Sequence, residues 1–159
     1  MIRLGKRGLF AAIFVACAAA LGAALYAQHT LGMQPCPWCV LQRVIFIVIG
    51  LCGLLGALWP GPVHRRLQGL LIFLLSGAGA AAALYQHFFA AQSKSCAQTL
   101  ADRIIGQLQL DARWPEVFEV RASCFDAAVD LLGVPFEFWS LALFVVLGVA
   151  GLLALRRGR

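Results

Sequence analysis

The fold is decided by the stretch LQGLLIFLLSGAGAAAALYQHFF, residues 67–89. It contains no Asp, Glu, Lys or Arg, and at about 1.5 Å of rise per helical residue it can cross a hydrocarbon core of about 30 Å. Lipid offers the backbone no hydrogen-bond partner, so a chain that crosses it in this way must be helical. The small residues at 77–83 favour the close approach of a neighbouring helix. This stretch therefore predicts a transmembrane helix.

Three further apolar runs complete the fold class. They lie at residues 8–27, 40–59 and 137–155. The chain is 62% hydrophobic and 13% charged, whereas a soluble domain carries about 25% charged residues. This composition excludes a soluble globular protein, a disordered chain and a disulfide-stapled secreted miniprotein. We predict an all-α membrane protein, a four-transmembrane-helix bundle that forms a single membrane domain over residues 1–159.

The placement of charge predicts the orientation of the bundle. Eight basic residues flank the spans on one side: Arg3, Lys6, Arg7, Arg65, Arg66, Arg156, Arg157 and Arg159. All seven acidic residues fall within 102–137. The positive-inside rule then predicts cytoplasmic N- and C-termini, a tight cytoplasmic connection at 60–66, and periplasmic loops at about 28–39 and 90–136. The net charge of +6 follows from this topology, so we expect no nucleic-acid partner.

The N-terminal run has a second interpretation, because a basic start and an apolar run are also typical of a cleaved signal peptide. The run is longer than the usual apolar region of such a peptide, and no clean A-x-A site follows it. Cleavage would also break the charge pattern. We expect residues 8–27 to remain as a span.

The second loop contains a predicted helix of its own. Leu100, Ile104, Ile105 and Leu108 recur at helical spacing between polar residues. A short amphipathic helix of this kind either lies on the membrane surface or packs over the ends of the spans. The sequence leaves both alternatives open.

Six cysteines divide between the spans and the outward loops. Cys17 and Cys52 lie within predicted spans, where a thiol packs as a small hydrophobe. The other four lie in the outward loops, two in each: Cys36, Cys39, Cys96 and Cys124. An oxidising compartment would preserve disulfides at these positions.

The first outward pair forms a C-x-x-C motif, CPWC, at the start of the second span. A helix N-terminus or a nearby positive charge lowers the pKa of a thiol, and both are expected here. Arg43 follows Cys39 by four residues, which places the two on one face of a helix. An arginine at this boundary also extends readily to the headgroups, but its register with the motif favours a role at the site.

The second pair, Cys96 and Cys124, encloses a long segment of the second loop. A purely structural disulfide would stabilise such a loop. A zinc site of four cysteines is another interpretation, which the wide spacing and the oxidising location disfavour. Two redox-active pairs that exchange a disulfide through thiolate attack fit the arrangement best.

These residues resemble the DsbB family of disulfide bond formation membrane proteins. The shared features are four spans, the C-x-x-C-x-x-x-R motif ending at Arg43, and a cysteine pair in the long outward loop. Further stretches that resemble the family are Gln28-His29, Tyr85-Gln86-His87, Trp114-Pro115-Glu116-Val117-Phe118, Gly133 and Trp139.

The resemblance implies a quinone-dependent thiol oxidase of the bacterial inner membrane, with ubiquinone or menaquinone as cofactor and no metal. Its partner would be DsbA, a thioredoxin-fold periplasmic disulfide donor, which the oxidase regenerates. By analogy, a DsbA thiolate attacks Cys96, the released Cys124 attacks Cys36, and Cys39 passes electrons to the quinone. Arg43 would stabilise the Cys39 thiolate and the developing quinone anion.

Two further residues are candidate quinone contacts by the same resemblance, His87 and Trp139. For His87, a packed or interfacial histidine is the alternative.

Two other functions remain open from the residues. One is a non-enzymatic membrane protein whose disulfides only brace its loops. The other is a related membrane disulfide oxidoreductase with a different dedicated partner, or one that resembles the vitamin K epoxide reductases. Replacing Cys39 with serine would separate the first from an oxidase, and offering several reduced thiol partners would identify the second.

Overall fold

The computed structural model describes residues 5–59, 61–92 and 99–156, and four long helices dominate it. These are α1 (Lys6–Thr30), α2 (Pro37–Leu58), α3 (Pro62–Tyr85) and, last in the chain, α7 (Phe136–Arg156). Each is long and apolar enough to cross a membrane. The predicted all-α, four-helix membrane fold is confirmed.

The second and third helices both begin at a proline, earlier than the apolar runs indicate. Pro37 occupies the first turn of α2, where its missing N–H removes no helical hydrogen bond. The Sγ of Cys36 caps this helix by accepting a hydrogen bond from the N–H of Cys39 at 3.3 Å. Pro62 has the same place in α3. The predicted connection at 60–66 is therefore too long, because residues 62–66 already belong to a helix.

Helices α3 and α7 approach closely because glycines line their contact. A Cβ on Gly69 would lie 3.1 Å from the carbonyl oxygen of Gly151, and one on Gly151 would lie 2.9 Å from that of Gly69. Further along α3, Gly79 leaves space for the ring of Phe144. That ring stacks on Phe46 of α2 with a centroid separation of 4.1 Å. Close packing of this kind holds helices together in lipid, where the hydrophobic effect between them is weak.

The long second loop has several short elements. The chain leaves α3 through a π-helical turn, Gln86–Ala90, and then forms α4 (Leu100–Leu108), α5 (Leu110–Arg113), α6 (Pro115–Phe118), β1 (Asp130–Leu131) and β2 (Val134–Pro135). The two strands pair as an antiparallel hairpin. Its turn residues Leu132 and Gly133 have φ of 57° and 78°, as a two-residue hairpin turn of type I′ requires. The hairpin leads directly into α7.

Helix α4 confirms the predicted amphipathic helix. It begins with a capping box at Thr99 and packs on α2, with Ala101 and Ile105 buried. Leu100 and Leu108 are more than half exposed. One face of α4 therefore packs over the end of a span, and placement of the other face at the membrane surface stays a prediction.

Candidate active site

The start of α2 holds Cys36 and Cys39 against each other. Cys36 is the N-cap and Cys39 lies in the first turn, with Pro37 fixing the start of the helix between them. Their Sγ atoms are 2.8 Å apart. Cys36 is completely buried and Cys39 is partly exposed. The arrangement allows the motif to form and open a disulfide with little backbone movement.

The second loop brings Cys124 to this motif. The carbonyl oxygen of Pro35 accepts hydrogen bonds from the N–H groups of Arg121 at 3.1 Å and Ala122 at 3.3 Å. These bonds fix the chain just before Cys124, which is buried and packs in the same cluster as Cys36. Cys36 therefore contacts one cysteine of its own motif and one cysteine from the other loop.

Cys36 and Cys124 differ in their electrostatic environments. Burial and hydrogen bonds with Cys124 and Cys39 raise the pKa of the Cys36 thiol well above its usual range. The hydrogen bond from Cys36 lowers the pKa of Cys124, helped by the backbone N–H of Trp38 and opposed by burial. The thiolate is the nucleophile in disulfide exchange. In the reduced protein, Cys124 therefore has more thiolate character than Cys36.

Arg43 joins three parts of the structure beside the motif. Its Nη1 donates to Oε1 of Gln28 at 2.6 Å and to the carbonyl oxygen of Val117 at 2.8 Å, and its Nη2 donates to the carbonyl oxygen of Ala24 at 3.5 Å. The side chain is 6% exposed, so the guanidinium is turned into the protein. Its cation is thus held one helical turn from Cys39, between α1, α2 and the second loop.

Two buried glutamines form a link to Cys39 that the motif alone does not indicate. Nε2 of Gln42 donates to Oε1 of Gln86 at 2.8 Å, and Nε2 of Gln86 donates to Sγ of Cys39 at 3.3 Å. Gln86 opens the π-helical turn at the end of α3, and such turns are frequent at functional sites. The sequence does contain a sign of these two residues, which is a polar side chain within an apolar run. Burying an amide in lipid is costly unless the amide has a partner or a function.

A cavity of about 300 Å³ lies beside the reactive cysteine. Most of its wall is apolar and comes from α1, the second loop and α7. Its polar lining includes Cys39, Gln42, Arg43, Gln86 and Glu137. A mainly apolar pocket with a few convergent polar groups is typical of a small-molecule site.

The two aromatic candidates of the sequence take different places. Trp139 lines the cavity, and its Nε1 donates to the carbonyl oxygen of Leu131 at 3.3 Å. His87 is not among the lining residues, but its Nδ1 lies 2.7 Å from Oε1 of Glu137, which does line the cavity. Glu137 is a second group that the sequence reasoning did not single out.

The remaining cysteines lie apart from this cluster or outside the described structure. Cys17 and Cys52 are buried in the core between the helices, which confirms their packing role. Cys96 falls in residues 93–98, outside the described residues, so its predicted pairing with Cys124 stays a prediction. Over the described ranges 5–59, 61–92 and 99–156, the structure shows no cluster of His, Cys, Asp and Glu able to hold a metal ion.

Fold and site together define a multi-pass membrane protein that gathers cysteines at one end of a four-helix bundle. Residues 6–154 match the family model described as "Disulfide bond formation protein DsbB". The chain belongs to this DsbB family of disulfide bond formation proteins.

Individual relatives agree along nearly the whole chain. A "Disulfide bond formation protein B 1" of Pseudomonas aeruginosa is 37% identical over 157 residues, covering 95% of this chain and 96% of that protein. A "Disulfide bond formation protein B" of Aromatoleum aromaticum is 32% identical over 157 residues, covering 96% and 94% respectively. One of the same description from Nitrosomonas eutropha is 34% identical over 151 residues, covering 92% and 93%.

Proposed function

We propose that this chain is a thiol oxidase of the bacterial inner membrane, which reoxidises a DsbA-like periplasmic disulfide donor and passes the electrons to a membrane quinone. The observation that carries the proposal is the position of Cys36, whose sulfur lies 2.8 Å from that of Cys39 and which packs in one buried cluster with Cys124. A disulfide can therefore pass between the two loops without a large movement of either.

The first exchange steps move a disulfide out to the partner. A thiolate of the reduced donor attacks Cys96 in a Cys96–Cys124 disulfide, which forms a mixed disulfide and releases the Cys124 thiolate. Cys124 then attacks Cys36 in a Cys36–Cys39 disulfide, and Cys39 leaves as a thiolate. The hydrogen bonds from the N–H groups of Arg121 and Ala122 to Pro35 support this step, because they hold Cys124 near Cys36.

The remaining steps restore the second-loop disulfide. The other thiolate of the donor attacks the mixed disulfide, so the oxidised donor leaves and Cys96 becomes a thiolate. Cys96 then attacks Cys124, which re-forms their bond and leaves Cys36 and Cys39 reduced. Re-forming the Cys36–Cys39 bond releases two electrons to the acceptor, so one donor dithiol is oxidised in each cycle.

The cavity beside Cys39 fits the head group of a quinone by its size and by the chemistry of its wall. When bound, a quinone supplies a two-electron, two-proton oxidant at this place. Arg43 would present its cation to the negative charge that develops in the cavity and to the Cys39 thiolate. Gln86 would orient the Cys39 sulfur through its amide, and Trp139 would supply an aromatic wall.

Redox energetics also favour a quinone. The DsbA–DsbB–quinone relay is the known example in this family, with DsbA near −120 mV and structural disulfides below about −300 mV. For a two-electron couple, about 30 mV corresponds to about 1.4 kcal/mol, so an ordinary disulfide cannot regenerate such an oxidant. A lipid-soluble acceptor meets the requirement where Cys39 lies.

The orientation in this proposal rests on charge. Eight of the thirteen basic residues lie at the chain ends or between the second and third spans, and all seven acidic residues fall within 102–137. The positive-inside rule supports a cytoplasmic location for these eight basic residues and a periplasmic location for the cysteines.

The test uses the full-length protein, purified in detergent, with a reduced DsbA protein and ubiquinone or menaquinone. The ultraviolet spectrum follows loss of the quinone, and thiol labelling follows oxidation of the DsbA protein. We expect both to proceed together in wild type. Cys39→Ser should abolish quinone reduction, whereas the matched control Cys52→Ser, on the same helix but in the core, should retain it.

Two results would overturn the proposed function. One is a wild-type protein with both disulfides formed that oxidises no DsbA protein above background. The other is a Cys39→Ser variant that reduces quinone at the wild-type rate. Oxidation of other reduced thiol proteins in place of DsbA would identify a different dedicated partner.

A further inference from the structure

Glu137 is a buried carboxylic acid on the wall of the cavity. It lies in the first turn of α7 and is 4% exposed. Within the part of the chain that the structure describes, it is the one carboxylic acid that lines this cavity. Burial of an ionisable group near lipid is costly, and such groups usually face a functional cavity and have a partner.

The partner of Glu137 connects the cavity to the outside of the bundle. Nδ1 of His87 lies 2.7 Å from Oε1 of Glu137, which is a distance for direct transfer of a proton along a hydrogen bond. The His87 side chain is 31% exposed, and it lies in the π-helical turn at the end of α3. One member of the pair therefore faces the cavity, and the other reaches the surface.

The other groups that line the cavity do not supply its protons, so Glu137 is the proton donor. Across the cavity, α2 contributes Cys39 and Arg43. An arginine keeps its proton in proteins, and Cys39 is the electron donor in the proposed reaction. Helix α1 lines the cavity with alanines and one leucine, and the hairpin contributes Leu131 from β1.

The proposed reaction requires protons at this place. Oxidation of a dithiol to a disulfide releases two electrons and two protons, and reduction of a quinone to a quinol consumes the same numbers. The thiol protons leave where the water-soluble partner ionises, because thiolates carry the exchange. Two protons must therefore enter the cavity by another route.

We infer that Glu137 holds and delivers these protons, and that His87 reloads it from the periplasmic side. The carboxyl group of Glu137 gives one proton into the cavity, takes a second from Nδ1 of His87, and delivers that one in turn. His87 recovers its proton through Nε2 from water. This inference rests on the proposed function and assigns a substrate of that site, the proton, to named atoms.

The experiment compares Glu137→Gln, which has the same shape but no acidic proton, with Glu137→Asp, which retains the acid. Glu119→Gln is the matched control, because Glu119 also lies against a basic side chain, that of Arg121, but is exposed in the second loop. Each protein is assayed in two separate steps. One is oxidation of a reduced DsbA protein by its own disulfides without quinone, and the other is reduction of added quinone by the reduced protein.

Glu137→Gln should slow quinone reduction by about 10²-fold, the lower end for loss of a general acid, with disulfide exchange unchanged. Glu137→Asp should recover part of the rate, and Glu119→Gln should behave as wild type. His87→Ala should slow the same step, and added imidazole should restore it. In oxidised-minus-reduced infrared spectra, a carboxyl band of wild type should be missing from Glu137→Gln.

Several outcomes would overturn the inference. If wild type is active and Glu137→Gln reduces quinone at the same rate, the inference is wrong while the proposed function stands. A carboxyl band that persists in Glu137→Gln would show the same. Equal slowing of both steps in Glu137→Gln, together with a lower thermal midpoint, would show that the contact between His87 and Glu137 only stabilises the packing of α7 against the end of α3. A wild type that reduces no quinone would remove the proposed function itself.

Discussion

Substitution of Gly79 tests the packing between α3 and α7, because a methyl group added at this position would overlap a neighbouring side chain. Its Cβ would lie 2.5 Å from Cζ and 2.6 Å from Cδ1 of Phe144, whereas carbon atoms pack at about 3.5–4.0 Å. The overlap is about 1 Å. The Phe144 ring is buried and stacks on Phe46 with an interplanar angle of 3°, so it cannot swing aside freely. We expect Gly79→Ala to force α3 away from its neighbours.

Overpacking of this kind costs about 1–3 kcal/mol, and alanine gains about 0.5–1 kcal/mol over glycine within a helix. Gly77→Ala is the matched control on the same helix, because its Cβ would meet nothing within 4 Å. The helical gain cancels between the two variants. Gly79→Ala should therefore unfold more easily than Gly77→Ala by about 1–3 kcal/mol.

The assay is reversible unfolding in mixed micelles, titrated with sodium dodecyl sulfate and followed by circular dichroism. Phe46 also lines the cavity, so the affinity for the proposed quinone should fall in Gly79→Ala and stay at the wild-type value in Gly77→Ala. Equal unfolding midpoints for the two variants would refute the packing at the Gly79 position. Equal affinities would refute the link from this contact to the cavity wall.

Three further substitutions have expected outcomes. Arg43→Lys keeps the charge but loses the short hydrogen bonds of Nη1, so the free energy of unfolding should fall by about 1.5–3 kcal/mol in the same micelle titration. Cys36→Ala removes the hydrogen bond that chiefly lowers the pKa of Cys124, so the pH profile of Cys124 alkylation in reduced protein should move to higher pH. Thr99→Ala removes the capping box of α4 and should destabilise that helix by about 0.5–2 kcal/mol, seen as faster hydrogen exchange of its amides.

Each of these three predictions has a matched control and an outcome that would contradict it. Arg103→Lys changes an exposed arginine of α4 and should leave unfolding unchanged; equal loss in both arginine variants would contradict the buried bridge. Cys36→Ser retains a donor, so Cys124 should keep a lowered pKa; an unshifted profile in Cys36→Ala would exclude the hydrogen bond as the cause. Uniformly faster exchange along α2 in Thr99→Ala would show that the cap does not act locally.

The helices could be predicted from the sequence because a bilayer imposes one solution on a long apolar run. The exact starts needed local chemistry as well. Pro37 and Pro62 begin α2 and α3 ahead of the apolar runs, since proline at the first helical position loses no hydrogen bond. Those starts are readable from the sequence once prolines are weighed together with hydropathy.

The meeting of Cys124 with Cys36 could not be read from the sequence. It depends on two backbone hydrogen bonds to Pro35 from a loop more than eighty residues away, and no periodic pattern encodes such a contact. Gln42 and Glu137 were missed for a different reason. Each lies at the edge of an apolar run, where one polar residue changes the average little although its burial requires a partner.

The cavity has a further consequence for how any ligand reaches it. Helices α1 and α7 make few contacts with each other, yet both line the cavity, through residues such as Ala20 and Ala24 on one side and Ser140 and Leu143 on the other. Because α1 and α7 are both long and apolar enough to cross a membrane, we expect this seam to face the acyl chains and not water. A lipophilic ligand would enter sideways from the bilayer, so its mole fraction in the lipid, and not its aqueous concentration, sets occupancy. Apparent dissociation constants measured in detergent should therefore rise with the amount of micelle present.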